Sequence, residues 1–257
     1  MRALRVALQF LTRLPVAGPP DWRDDDLARA VPLFPVVGAL IGLAIGVSYL
    51  GGLALGLPPL AAATLGLVFV GPLLTGGLHE DGLADTADGL LGGRDRAARL
   101  RILRDSSIGA YGALALVGAL FLRVSLVAEL SGAAVLAALA LAHGLGRLAT
   151  VVLMARLPYA RDSAEGPGGP MIAHLRPIDR GLALVTGVVV TVLSAVVVGW
   201  SAGVAVVGAM AILAGLAWRA RRDVGGVTGD ILGAACMLVE LWVLVVVVST
   251  MVRAAGA

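Results

Sequence analysis

The sequence predicts an all-α membrane protein, a polytopic transmembrane helical bundle of about seven spans with its N-terminus in the cytoplasm. Three observations carry this: too few charges for a water-facing surface, apolar stretches of membrane length, and arginines confined to alternate connections. Of 257 residues, 59% are hydrophobic and only 14% charged, and the mean hydropathy is +0.95. A soluble domain carries about 25% charged residues. The 35 glycines suit close helix packing in lipid. All 20 basic residues are Arg, and a pI near 9.7 reflects membrane loops rather than a nucleic-acid partner. The single cysteine, Cys236, excludes an internal disulfide.

Taken in order, the chain opens with a short apolar run interrupted by Arg13 and lacking a small-residue cleavage site, so it does not read as a cleavable signal. Leu4, Ala7, Leu8 and Leu11 share one helical face, and Arg5, Gln9 and Arg13 another, which predicts a helix lying on the cytoplasmic interface within residues 1–30. Asp21 and Asp24 to Asp26, after Pro19 and Pro20, read as a solvated turn. A span needs roughly 20 apolar residues. Stretches at about 31–51, 58–78, 107–128, 133–155, 180–199, 202–218 and 231–252 qualify. The connection at 199–203 is so short that the fifth and sixth could instead be a re-entrant pair.

The connections alternate in charge. Arg2 to Arg29, Arg94 to Arg104, Arg156 to Arg180 and Arg219 to Arg222 lie on one set. The opposite set (51–58, 129–132 and 200–203) holds no Arg. Arg253 falls outside this rule, and Arg123 and Arg147 fall within spans. The positive-inside rule then places loops 79–106, 156–180 and 219–230 in the cytoplasm, with residues 1–257 forming one domain of the inner membrane.

The most informative stretch is Gly76-Gly77-Leu78-His79-Glu80-Asp81-Gly82-Leu83-Ala84-Asp85-Thr86-Ala87-Asp88-Gly89. Asp81, Asp85 and Asp88 stand at i, i+4 and i+7, one stripe if the segment is helical. Like charges on one face need a cation. Oxygen donors with one histidine and no cysteine favour Mg²⁺ over zinc. Asp81 and Asp88 would be roughly 10 Å apart on an ideal helix, too far to share one ion, so two ions, or carboxylates from elsewhere, are expected. A solvated acidic loop is the plain alternative; the spacing and the lack of Arg within the cluster favour a site. His79 reads as a base, a ligand or a satisfied interfacial histidine.

Asp95 reads as the cap of a short Arg-rich helix ending near Arg104. Asp105 follows, leading to the third span. Carboxylates beside arginines suit a metal–diphosphate substrate, although the positive-inside rule alone explains most of these arginines. Asp230 opens the last span, as a further carboxylate or as an acid favourable to the helix dipole. Within the fourth span, His143 and Arg147 stand at i and i+4, and an intramembrane Arg needs a partner or a cavity.

Together these stretches resemble the cobalamin synthase family, the adenosylcobinamide-GDP ribazoletransferases. The resemblance rests on Gly77 to Gly89 and Arg104 to Gly112, extended by Pro158-Tyr159-Ala160-Arg161, Gly226 to Ala234, Phe10 to Val16 and Phe34 to Gly38. Ser107 stands where relatives are often basic, and Ala164 to Gly169 is looser than the family's short glycine motif. The resemblance implies a Mg²⁺-dependent phosphotransferase on the cytoplasmic face. A ribose hydroxyl of α-ribazole, or of its 5′-phosphate, attacks the β-phosphorus of adenosylcobinamide-GDP, releasing GMP and closing the cobalamin nucleotide loop. It points to Asp81, Asp85, Asp88, Asp105 and Asp230 as metal and catalytic carboxylates, the metal set being Asp81, Asp85, Asp88 and Asp230. His79, Arg104, Arg147 and Arg161 are the expected substrate contacts. The oligomeric state stays open.

Two other readings compete. CDP-alcohol phosphotransferases begin their signature as Asp85-Thr86-Ala87-Asp88-Gly89 does, but then require Ala-Arg where this chain has Gly92-Gly93. An ion-coupled transporter could use Arg147 and Glu240. Its site should lie near the midplane with repeat symmetry, whereas these carboxylates crowd at span ends.

Overall fold

The structure, a computed structural model, describes residues 1–105, 107–161 and 166–255. Ser106 and the stretch 162–165, including Ala164 and Glu165 of the looser glycine motif, lie outside the described residues. Among those described there are helices but no strand longer than an isolated bridge. Six helices are individually long and apolar enough to cross a membrane, and a bent pair makes up to seven.

Helix α1 (Arg2–Leu11) is amphipathic as expected, but its apolar side docks on the bundle. Val6, Ala7 and Leu11 are buried, and Phe10 stacks on Phe34 with ring centroids 5.7 Å apart. Leu4 of the expected face points outward. The acidic segment after Pro20 is not merely a solvated turn. Asp26 is buried and accepts from Arg2 Nε and Nη2 at 2.6 Å each, while Asp21 accepts from Arg2 Nη1 at 2.8 Å. A charge pair ties α1 to the start of α2 because Asp26 opens that helix from beneath the arginine.

Helix α2 (Asp26–Ala54) starts earlier than expected, passing Pro32 through a 3₁₀ turn at Val31–Leu33. Helix α3 (Pro59–Thr75) carries a π-helical turn at Leu65–Val70 and ends where Gly76 and Gly77 both take positive φ, 75° and 70°. Residues with a Cβ rarely adopt that conformation, so the glycine pair turns the chain sharply. The acidic stretch is therefore helical, not a loop: α4 (Leu78–Gly92) leaves α3 at 96°. Helix α5 (Arg96–Ile102) begins as foreseen, with the Asp95 carboxylate accepting from Ala98 N at 2.8 Å.

Helices α6 (Ala110–Ala128), α7 (Ala133–Arg156), α9 (Pro177–Val198), α10 (Ser201–Asp223) and α11 (Gly229–Ala255) complete the bundle, with short α8 (Gly168–Ala173) between α7 and α9. Helices α9 and α10 are 22 and 23 residues long, so each is by itself long and apolar enough to be a full span. Helices α7 and α11 form the centre. Helices α6, α9 and α10 present Leu114, Phe121, Val192, Val196 and Met210 outward, the surface expected against lipid.

The connections rich in Arg gather at one end and interlock. Arg29 pairs with Asp179 at 2.8 Å and Arg99 with Asp223 at 3.2 Å. Arg96 donates to the Val224 carbonyl at 2.9 Å, and Arg219 to that of Leu90 at 3.0 Å. The charge alternation read along the sequence is thus a real segregation in space.

Candidate functional site

At this end, two motif segments far apart in sequence meet. Ala160 N donates to the Val227 carbonyl at 2.8 Å, and Val227 N to that of Pro158 at 2.9 Å. This small ladder delivers Arg161 to Asp230, whose carboxylate accepts from Arg161 Nη2 and from Thr228 Oγ1 at 2.6 and 3.1 Å. The same guanidinium donates to the Leu103 carbonyl at 2.6 Å, tying the start of α11 to the end of α5.

Helix α4 lies close against α11. A Cβ on Gly82 would sit 2.8 Å from the Asp230 carbonyl oxygen, so only glycine allows that approach. The contact puts Asp81 and Asp85 beside Asp230. Burial pushes the Asp85 carboxyl up to about 6, and the charges of Asp81, Asp230 and Asp88 push the same way, with Arg161 offsetting part of it. Asp88, one turn on, is spent differently: its oxygens accept from Gly109 N at 2.7 Å and Gly112 N at 2.9 Å. It caps α6 from another helix, where unpaired amides and the helix dipole favour a carboxylate.

Two cavities meet at Asp81. The larger, about 740 Å³, is lined by Asp81, Asp85, Gln9, Thr12, Arg13 and the Thr75–Leu78 turn. The smaller, about 230 Å³, is lined by Asp81, His79, Tyr159, Arg161, Asp230 and apolar residues of α1, α7 and α8. Arg13 was not among the expected site residues. It is exposed, its amide donates to the Leu74 carbonyl at 2.6 Å, and its guanidinium lies over Gly76. The available signal was positional: Arg13 continues the line of Arg5 and Gln9 two residues beyond the end of α1.

Of the other expected residues, Arg104 and Asp105 lie exposed on the turn after α5. Hydrogen bonds from Ser107 hold the Asp105 carboxyl below the usual carboxylate range. Arg147 is fully buried and ion-paired with Glu240 Oε1; its Nη1 lies 2.9 Å from His143 Nδ1 and its Nη2 3.4 Å from His79 Nδ1. Arg123 completes this group, 2.8 Å from Glu240 Oε2 and 3.6 Å from Glu80. Arg147 is therefore partnered inside the bundle instead of lining either large cavity, and the two intramembrane charges offered to a transporter neutralise each other.

The carboxylates Asp81, Asp85 and Asp230 offer oxygen donors, with His79 the one ring nitrogen lining the same hollows, and the crowded negative charge at Asp85 is one that a cation would relieve. Among the described residues no three His, Cys, Asp or Glu side chains converge as a preformed metal cage. Such a set fits Mg²⁺, which takes one or two carboxylates and fills its remaining positions with water and substrate phosphate.

The family described as cobalamin-5-phosphate synthase matches residues 3–248 of the chain. Proteins named adenosylcobinamide-GDP ribazoletransferase are similar throughout. That of Chlorobaculum parvum is 39% identical over 245 residues, covering 94% of this chain and 92% of the relative. That of Chlorobaculum tepidum is 38% identical over 250 residues (95% and 94%). That of Bradyrhizobium diazoefficiens is 42% identical over 247 residues (95% and 92%). No solved structure matches the chain. With a match across nearly its whole length and relatives well above 30% identity, this multi-span membrane protein belongs to the cobalamin-5-phosphate synthase family, transferases of cobalamin biosynthesis.

Proposed function

We propose that the two cavities meeting at Asp81 hold the two reactants of a Mg²⁺-dependent phosphotransfer. In this reading a ribose hydroxyl of α-ribazole, or of its 5′-phosphate, attacks the β-phosphorus of adenosylcobinamide-GDP. An oxygen–phosphorus bond forms to the ribazole, the bond from the β-phosphorus to the bridging oxygen breaks, GMP departs, and the hydroxyl proton is lost. The observation that carries the reading is the position of Asp81, between one cavity bearing Asp85 and Arg13 and another bearing Arg161 and Asp230.

Phosphoryl transfer depends chiefly on positioning and charge stabilisation. Asp81 and Asp85 would hold Mg²⁺, with Asp230 adding negative charge beside them, and the ion when bound would offset charge on the diphosphate and the leaving GMP. Arg13 binds phosphate oxygens from the larger cavity, where a guanidinium can offer two parallel donors. Arg161 fixes the 226–230 segment through its bonds to Asp230 and Leu103. Asp88 orients α6, and Arg147 supports His79 from within the bundle. The positive-inside rule supports a cytoplasmic orientation of this face in the inner membrane.

The test is an end-point assay of purified protein with adenosylcobinamide-GDP, α-ribazole and Mg²⁺, following GMP and the corrinoid product together. Stoichiometric formation of both, abolished by chelation, is expected; folded protein that yields neither would break the reading, and a transporter would release no GMP. Arg13→Ala is expected to lower kcat/KM by roughly 10²-fold, with Arg13→Lys recovering only part, because Lys cannot present a planar fork. An unchanged kcat/KM would remove Arg13 from the site.

The raised Asp85 carboxyl gives a pH signature. A ligating carboxylate must be deprotonated, so protons compete with the metal below its pKa. The Mg²⁺ concentration giving half-maximal activity should rise as pH falls through about 6 and level off above it. A Mg²⁺ requirement flat from pH 5 to 8 would separate Asp85 from the metal.

A further inference from the structure

We propose that a cleft between α7, α9 and α10, remote from the acidic site, holds an acyl chain of one anionic phospholipid whose phosphate rests on Arg156, Arg221 and Arg222. The cleft has a volume of about 400 Å³ and is lined almost wholly by apolar groups, among them Leu148, Gly187, Val206, Met210 and Ala217. Along α10 it runs from Val206 to Ala217, roughly 16 Å at 1.5 Å per residue. One leaflet of a bilayer hydrocarbon core is about 15 Å deep. The groove therefore has the depth of a single leaflet.

Its mouth is basic. At the arginine-rich end the cleft continues, through Arg156 and Ala217, into an open basin lined by Leu157, Trp218, Arg221 and Arg222. The Arg222 guanidinium lies 5.2 Å from the centre of the Trp218 ring, and an indole belongs at headgroup level. Three arginines at the rim face no acidic residue among those lining either hollow. Among the described residues neither Arg156 nor Arg221 forms an ion pair, whereas neighbouring Arg219 is committed to Asp223. An apolar slot one leaflet deep, capped by an aromatic and by cations with no ion pair among the described residues, matches a lipid with apolar tails and an anionic head. A second copy of the chain would not explain the charge, and a neutral lipid would leave it unbalanced.

The experiment reconstitutes the full chain in mixed phosphatidylcholine–phosphatidylglycerol nanodiscs and counts retained lipids by native mass spectrometry after gentle release. One phosphatidylglycerol should be kept in preference to phosphatidylcholine. Each arginine near an anionic surface accounts for about a fivefold effect, so Arg156→Gln with Arg221→Gln should weaken that retention by about 25-fold. Ala214→Phe, which fills the cleft from an exposed position and leaves every charge in place, should also displace the lipid. Arg253→Gln, at the opposite end of α11, should change nothing. Equal retention of both lipids, an equal loss in Arg253→Gln, or a protein dimer in place of bound lipid would each overturn the proposal.

Discussion

Asp85→Asn is expected to lower kcat by roughly 10²–10³-fold, the loss seen when one group that stabilises developing charge is removed, while leaving the protein folded and no less stable. The two expectations arise from the same geometry. Asp85 stands beside Asp81 and Asp230 on a partly desolvated face, and its carboxyl is pushed up to about 6 from an ordinary 3.8. In the metal-free protein the native state thus binds more protons than the unfolded chain between about pH 4 and 6. Stability then falls as pH rises through that window, and the cost of the charge is fully present above it. Asparagine removes the charge, so without Mg²⁺ the variant should unfold at or above the wild-type temperature, and added Mg²⁺ should stabilise the wild type more than the variant. Functional groups set against stability in this way mark sites. Wild-type turnover in Asp85→Asn would remove the residue from the chemistry. A variant that unfolds would show that Asp85 supports the fold and not the reaction.

The six or seven candidate spans and the segregation of arginines were legible because both follow from the bilayer itself: apolar length and charge side leave a mark on every connection. The acidic stripe was legible because 3.6-residue periodicity applies wherever the segment is helical. What the sequence did not carry was direction. That α4 turns away from α3 by 96° depends on two glycines in left-handed conformation, and either side of Gly76-Gly77 reads equally well as loop. Asp88 looked like a third ligand because its spacing is identical to that of a ligand; only the approach of Gly109 and Gly112 from α6 shows where its oxygens are used. Arg13 was hidden among residues that the positive-inside rule already explained. Arg123 and Arg147 were conspicuous as intramembrane charges, yet their common partner, Glu240, lies 117 and 93 positions away. Local pattern cannot supply such a pairing.

That pairing leads to the second large effect. Glu240→Gln should destabilise the protein by about 3–5 kcal/mol, because removing one member of a buried ion pair leaves the others uncompensated. Here two arginines lose their shared partner at once. Arg123 keeps Glu80 at 3.6 Å as its one remaining acidic partner among the described residues, with His143 Nε2 at 3.4 Å and Met237 Sδ at 3.5 Å, and Arg147 keeps the ring nitrogens of His143 and His79. An isolated charge at this depth costs about 2.5–3.5 kcal/mol on insertion scales, so the estimate does not depend on the low-dielectric Coulomb attraction alone. Replacing the three central charges, with Arg123→Met, Arg147→Met and Glu240→Leu together, should recover part of the loss, since apolar side chains of similar volume need no partner, while Glu80 loses its arginine. Recovery of stability without recovery of turnover is the informative result. Glu80 and His79 hold the first turn of α4 against this cluster, and Asp81 is the next residue along. A rebuilt apolar core should therefore fold while leaving that turn unanchored, lowering kcat with little change in KM. Denaturant unfolding in detergent gives the first quantity and steady-state kinetics the second. A triple variant with wild-type kcat would confine the cluster to holding the bundle together.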